Sequence, residues 1–324
     1  MDRHAATTAL AVSHQLTADQ TRQLRELAGL ASEPEQLRTL APKVLALLAA
    51  ALGGFGLLLW IAANWGDLPT TARFALLEAL LLVSMVGAWG MPNARKALGL
   101  MAFICIGGLL ALIGMTYQTG ADPWQLFAAW AFLSLPLALA LRSDMVWTPW
   151  ALVITAFMAL WLQAHTQHTW RMEEQDFQLG LLVWLGSFLV LVWLSPQLRR
   201  ITGAGSWSLR WVALQMAINI TALALAALSS WHGSALAYGL ALLLLLGLAA
   251  YLASPFAFDM FGLCAAALGF NVLVVFGIGN LMLSSWQHRD WFTALLVIGL
   301  SAAGLLTGSV KLILMAARRA KESA

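Results

Sequence analysis

Long runs of Leu, Ala, Val and Ile, broken at intervals by short polar stretches, predict ten apolar helices along the chain. The expected spans are 43–63, 74–90, 97–116, 124–141, 145–164, 179–195, 211–230, 234–254, 257–283 and 291–315. Runs of this length approach or reach the roughly twenty residues a helix needs to cross a bilayer. Some connections are very short, "RSD" at 142–144 and "SP" at 254–255. Links of that size make the flanking helices antiparallel hairpins.

The polar breaks alternate in charge. Fifteen of the eighteen Lys and Arg residues fall on the side of the membrane that holds the N-terminus, leaving only Arg73, Arg171 and Arg289 for the other. By the positive-inside rule the N-terminal side is cytoplasmic, and an even number of spans returns the C-terminus to it. The expectation is an all-α fold, a polytopic transmembrane helical bundle of about ten spans with both termini cytoplasmic. It divides into a short helical leader at 1–42, a ten-helix transmembrane domain at 43–316 and a basic tail at 317–324.

Composition strengthens this picture. The chain is 61% apolar and only 10% charged, whereas soluble domains carry about a quarter charged residues. A water-soluble surface is thereby excluded. The net charge of +3 calls for no nucleic-acid partner, because the basic residues sort by side of the membrane. A cleaved signal peptide is not expected, since the first apolar run begins only near Val44 and is too long for a signal core. Cys105 and Cys264 lie within apolar runs and read as small core side chains.

In the leader, Thr17 stands three residues before Gln20 and Ser32 three before Glu35. Each pair has the form of a capping box. Two short helices on the cytoplasmic face are expected, either as an amphipathic cover or as a docking site for a protein partner at residues 1–42.

On the opposite side the breaks are acidic, His-bearing and rich in Trp: "NWGDLP" (64–69), "TYQTGADPW" (116–124), "HTQHTWRMEEQDFQ" (165–178), "SSWHGS" (229–234) and "SSWQHRDW" (284–291). Trp favours membrane interfaces in any case. Gly66 and Pro69 mark a tight turn, with Asp67 placed to cap the next helix, and Asp122 before Pro123 is placed to cap the fourth span. One reading makes Asn64, Trp65, Asp67, Tyr117, Gln118, Asp122 and Trp124 caps and interfacial anchors. The other gathers them, together with Glu78, around a pocket open to the periplasm that binds a small solute or lipid.

The stretches "FGLLLWIAANWGDLP" (55–69) and "GGLLALIGMTYQTGADPWQLFAAWAFLSLPLALALRS" (107–143) resemble a bacterial membrane family, domain of unknown function 2157. The likeness is most specific over about 15–145. It implies a multispanning protein of the bacterial inner membrane and carries no catalytic residue across. It also implies that Asn64, Trp65, Tyr117, Asp122 and Trp124 belong to a recurrent pattern.

Within the spans, Glu78 is the foremost polar candidate, because a carboxylate in hydrocarbon must be protonated, paired or wet. Arg73 is a poor partner by spacing. Asn219 and Asn271 read as interhelical hydrogen-bonding groups, Asp259 as a favourable charge at a helix start, and Gly304 and Gly308 as a small-xxx-small pair. His165 and His168 form an H-x-x-H in a loop, a weak pattern for a metal, which needs three or four held ligands. No cofactor is expected, and no P-loop, H-E-x-x-H or G-x-S-x-G is present. The glycine-rich turn at 203–208 follows no strand and is a poor phosphate site. Three functions stay open: a non-enzymatic protein with a periplasm-facing pocket, a scaffold subunit, and a membrane-embedded enzyme using Asp122 or the His-bearing loop.

Overall fold

In hydrocarbon a backbone has no water to bond, so apolar runs of this length close their own hydrogen bonds as helices. The computed structural model of the chain describes residues 3–28, 35–166, 174–229, 235–285 and 291–322. These residues are helical, with no strand among them. Two leader helices, α1 (Arg3–Ser13) and α2 (Ala18–Leu27), come first. They are followed by α3 (Glu35–Ala63), α4 (Thr70–Gly90), α5 (Arg95–Tyr117), α6 (Pro123–Leu141) and α7 (Asp144–His165). After these come α8 (Glu174–Trp193), the short α9 (Arg199–Thr202), α10 (Ser206–Ser229), α11 (Ala235–Ala253), α12 (Met260–Ser285) and α13 (Trp291–Glu322).

Among the described residues nine helices are long and apolar enough to cross a membrane. A tenth is reached if Gln178–Trp193 and Pro196–Thr202, bent by 48°, count as one broken span. Pro196 sits at that bend, where a missing backbone donor ends α8. The expected all-α polytopic bundle is the observed one.

The capping box at Thr17 forms: its hydroxyl accepts from Gln20 N (3.4 Å), and Gln20 Oε1 accepts from Thr17 N (3.0 Å). Ser32, the second expected cap, lies outside the described residues. α3 begins at Glu35 and runs unbroken through Pro42 into the first span. Leu27 and Val12 of the leader are exposed, and neither leader helix makes an extended contact with the spans.

α5 stands at the centre of the first half, touching α3, α4, α6 and α7. Its Gly107 and Gly108 allow this, because a Cβ on Gly107 would overlap the Trp130 ring and one on Gly108 would overlap Leu58. Tryptophans then join helix to helix. Nε1 of Trp130 donates to Phe103 O (3.0 Å), that of Trp150 to Ala131 O (2.9 Å), and that of Trp211 to Thr155 Oγ1 (3.1 Å). The interface preference of Trp therefore accounts for only part of its use here. Asn271 meets Ser309 of α13 across helices (3.0 Å), as expected, but Asn219 pairs with Gln215 on its own helix (3.3 Å). α13 packs along one side only, and Gly304 and Gly308 face open space. Their small-xxx-small spacing serves no contact among the described residues.

The end bearing the 142–144 and 196–205 turns, here called proximal, is tightly bonded. Asp144 accepts from the amides of Gly205 (2.9 Å), Trp207 (3.0 Å) and Ser208 (3.2 Å), and from the Ser208 hydroxyl (2.6 Å). Arg142 donates to the carbonyls of Ile201 and Arg200, and Trp147 Nε1 to Thr202 O (2.6 Å). Asp259 accepts from Arg210 (2.8 Å) and from Gly262 N (2.9 Å). A helix-dipole position was expected for Asp259, and an ion pair accompanies it. The amides of the glycine-rich turn are thus occupied by an internal carboxylate.

Candidate functional site

The opposite, distal end is built by the way α5 stops and α6 starts. Gln118 closes α5 in the left-handed conformation (φ 42°, ψ 51°), and Gly120 repeats it at φ +64°. Asp122 then takes the extended N-cap conformation, with Pro123 as the first residue of α6. Two left-handed residues within three positions hold the loop away from the helix ends. A cleft of about 610 Å³ opens between the last turns of α5 and the first turns of α6. Leu110, Ile113 and Leu126 form its apolar floor, and Gln118, Thr119, Asp122 and Gln125 its polar rim.

Among the described residues, Asp122 is the sole ionisable one lining the cleft. It occupies the N-cap position, but its side chain makes no cap hydrogen bond, which corrects the expected role. Its Oδ2 instead accepts from Trp124 Nε1 at 3.3 Å. The indole two residues on takes the oxygen that would otherwise turn back to the helix. The Trp124 ring lies 6.2 Å from Phe157 and 5.8 Å from His165, so α7 supports it from behind.

The structure distributes the remaining candidates around this cleft rather than in it. Asn64 Nδ2 donates back to Trp60 O (2.9 Å), within the last turn of α3. Trp65 packs with Leu68 and Phe74 on a small core of Ile61, Leu77 and Leu112. The Arg73 guanidinium lies 3.9 Å above the Trp65 ring and donates to the Trp65 carbonyl. Asp67 does not cap α4: the N-cap is Pro69, without a side-chain bond, because the turn places Asp67 two residues too early. Tyr117 is 67% exposed, its ring 6.3 Å from Phe74, so it is no buried polar group in need of a partner. Glu78 is exposed on the lipid side of α4, about 12 Å along the helix from Thr70 at 1.5 Å per residue, and does not pair with Arg73.

Nδ1 of His165 lies 2.8 Å from Trp161 O, and its ring lies 4.6 Å from that of Trp161. His168 is outside the described residues. Among the described residues no three His, Cys, Asp or Glu side chains are grouped to hold a metal ion.

Sequence reasoning passed over Asp144, the most heavily bonded carboxylate described. Following Ser143 at the start of α7, it reads as a local first-turn acid. Nothing in the neighbouring residues marks a partner about sixty positions on. The Arg73–Trp65 stack was missed as well, although an Arg eight residues after a Trp across a tight turn is a usable signal.

Residues 9–147 match the model of a family described as Predicted membrane protein (DUF2157). This DUF2157-matching stretch covers less than half of the chain. It contains both walls of the cleft, the Trp65–Arg73 stack and Glu78, and it ends at Trp147 in the first turn of α7. The resemblance read from the sequence falls on the same stretch. No curated protein and no solved structure matches the chain.

Proposed function

We propose that the chain is a non-enzymatic, multi-pass protein of the bacterial inner membrane, and that the distal cleft of its DUF2157 region binds a small solute from the periplasm. The carrying observation is a single carboxylate, Asp122, on the rim of a cleft with an apolar floor and no other charged lining among the described residues. Such a lining favours a ligand with one cationic group and an apolar body, because the cation gains a charge-assisted contact while the body covers Leu110 and Ile113. Basic residues support the orientation in this reading: Arg142, Arg200 and Arg210 collect at the proximal end, as the positive-inside rule expects of a cytoplasmic end that also holds both termini.

Trp124 supplies the test, because its indole touches Asp122. Fluorotryptophan labelling resolves it by NMR among the chain's sixteen tryptophans. Benzyltrimethylammonium is expected to shift the Trp124 signal saturably and benzoate to leave it in place. Asp122→Asn should abolish the shift. Equal responses to both probes, or a response that survives Asp122→Asn, would sink the reading.

A second reading, a subunit that acts by docking, is favoured by Glu78, which is exposed on α4 without a partner among the described residues. A stoichiometric companion that co-purifies with the wild type and is lost in Glu78→Leu or on deletion of residues 1–42 would support it.

A further inference from the structure

A second opening lies far from the distal cleft. On the proximal half, α11, α12 and α13 leave a groove of about 310 Å³ between them, lined mostly by Leu and Ala. Small side chains keep it open: Ala250 and Ala253 on one wall, Ala267 on the floor, Ala316 on the other wall. At its inner end Ser309 is turned onto Asn271, so the groove itself presents almost no polar surface. Along α11 it extends from Leu245 to Ala253, about 12 Å at 1.5 Å per residue. One leaflet of hydrocarbon is about 15 Å deep. The groove therefore has the reach of one acyl chain entering from the proximal surface.

Its mouth is basic. Helical register puts Arg319 seven residues after Leu312 and three after Ala316, on the side of α13 that lines the groove, whereas Arg318 falls on the opposite side. Both arginines are exposed, and neither guanidinium has a hydrogen bond or ion pair among the described residues. The nearby basic residues are differently placed: Arg210 is paired with Asp259, and Arg142 and Arg199 bond to carbonyls. Asp259, 6% exposed, is committed to Arg210 and Gly262 and is therefore not the counter-charge of Arg319.

We propose that this groove binds an anionic phospholipid of the proximal leaflet, one acyl chain lying against Ala250, Ala267 and Ala316 and the phosphate meeting Arg319. A zwitterionic lipid buries the same chain but brings a cation to the arginine, so the headgroup charge decides the preference.

The test uses the full-length protein in detergent, with bound lipid counted by native mass spectrometry during titration. Phosphatidylglycerol and phosphatidylcholine of the same chains are compared. The wild type should favour phosphatidylglycerol about fivefold, the equivalent of about 1 kcal/mol for one basic residue at a membrane surface. Arg319→Gln should remove that preference and Arg318→Gln keep it. Ala250→Phe, which fills the groove, should weaken both lipids, with Ala253→Leu as the filler if Ala250→Phe does not fold. Three outcomes overturn the proposal: equal binding of both lipids to the wild type, equal losses in the two arginine variants, or unchanged binding with the groove filled. Displacement of the lipid by inorganic phosphate alone overturns it too, since the chain would then contribute nothing.

Discussion

Asp144 and Asp122 carry the same group at opposite ends of the bundle, and their surroundings set different consequences for removing it. Asp144 satisfies three amides and a hydroxyl at the start of α10. Asp144→Ala should lower stability by about 1–2 kcal/mol, the range for a lost helix cap, as a clear fall in the unfolding midpoint of the purified protein. Among the described residues Asp122 accepts only from the Trp124 indole, and it caps nothing. Asp122→Ala should leave the midpoint within about 0.5 kcal/mol, as for an ordinary surface change, and an Asp122→Ala fall as large as that of Asp144→Ala would return Asp122 to architecture. The Asp-Pro pair made the N-cap position of Asp122 legible, because backbone preferences are local. Its partner was not legible, since an indole and a helix amide compete for one oxygen on a scale of ångströms. For Glu78 the sequence shows the depth along α4, while the side it faces depends on where α5 packs.

Between elements, indole donors and glycines do the joining. Trp150→Phe keeps most of the ring and removes the bond to Ala131 O. A loss of about 0.5–1.5 kcal/mol is expected, in the range of single interhelical hydrogen bonds in membranes, read by detergent unfolding. Gly107→Val forces side-chain atoms into the space of Trp130 and should cost about 1–3 kcal/mol, as overpacking does. If Gly107→Val proves neutral, the close approach of α5 and α6 is not what holds the first half together. Helix positions were readable in advance because run length and polar breaks follow from the thickness of the bilayer. Helix neighbours were not. Lipid and protein interior are equally apolar, so the amphipathic stripe that marks a packed face in a soluble protein is faint here. Trp130, Trp150 and Trp211 look in sequence like any interfacial Trp, and only their cross-helix partners distinguish them.

For the whole molecule, the proximal turns are gathered by Arg142, Asp144 and Arg210, and the distal cleft lies at the other end. With Cys105 and Cys264 replaced by alanine, Thr119→Cys should react with a membrane-impermeant maleimide in intact cells, and Lys96→Cys only after lysis. The reverse pattern would invert the orientation proposed from the basic residues. The sorting of charge between the two ends was legible because charge counts survive errors of a few residues in each boundary. The cleft and the lipid groove were not readable, since both are gaps between helices whose packing the sequence leaves open.

The DUF2157 region ends at Trp147, yet Arg142, Asp144 and Trp147 all find their partners between residues 199 and 208. During synthesis those partners emerge about sixty residues later, roughly 3–12 s at translation rates of 5–20 residues per second. For that interval the first helices stand in the membrane with an aspartate, an arginine and an indole unanswered at their proximal edge. The order of birth along the chain thus makes this seam a joint that cannot close until the second half arrives.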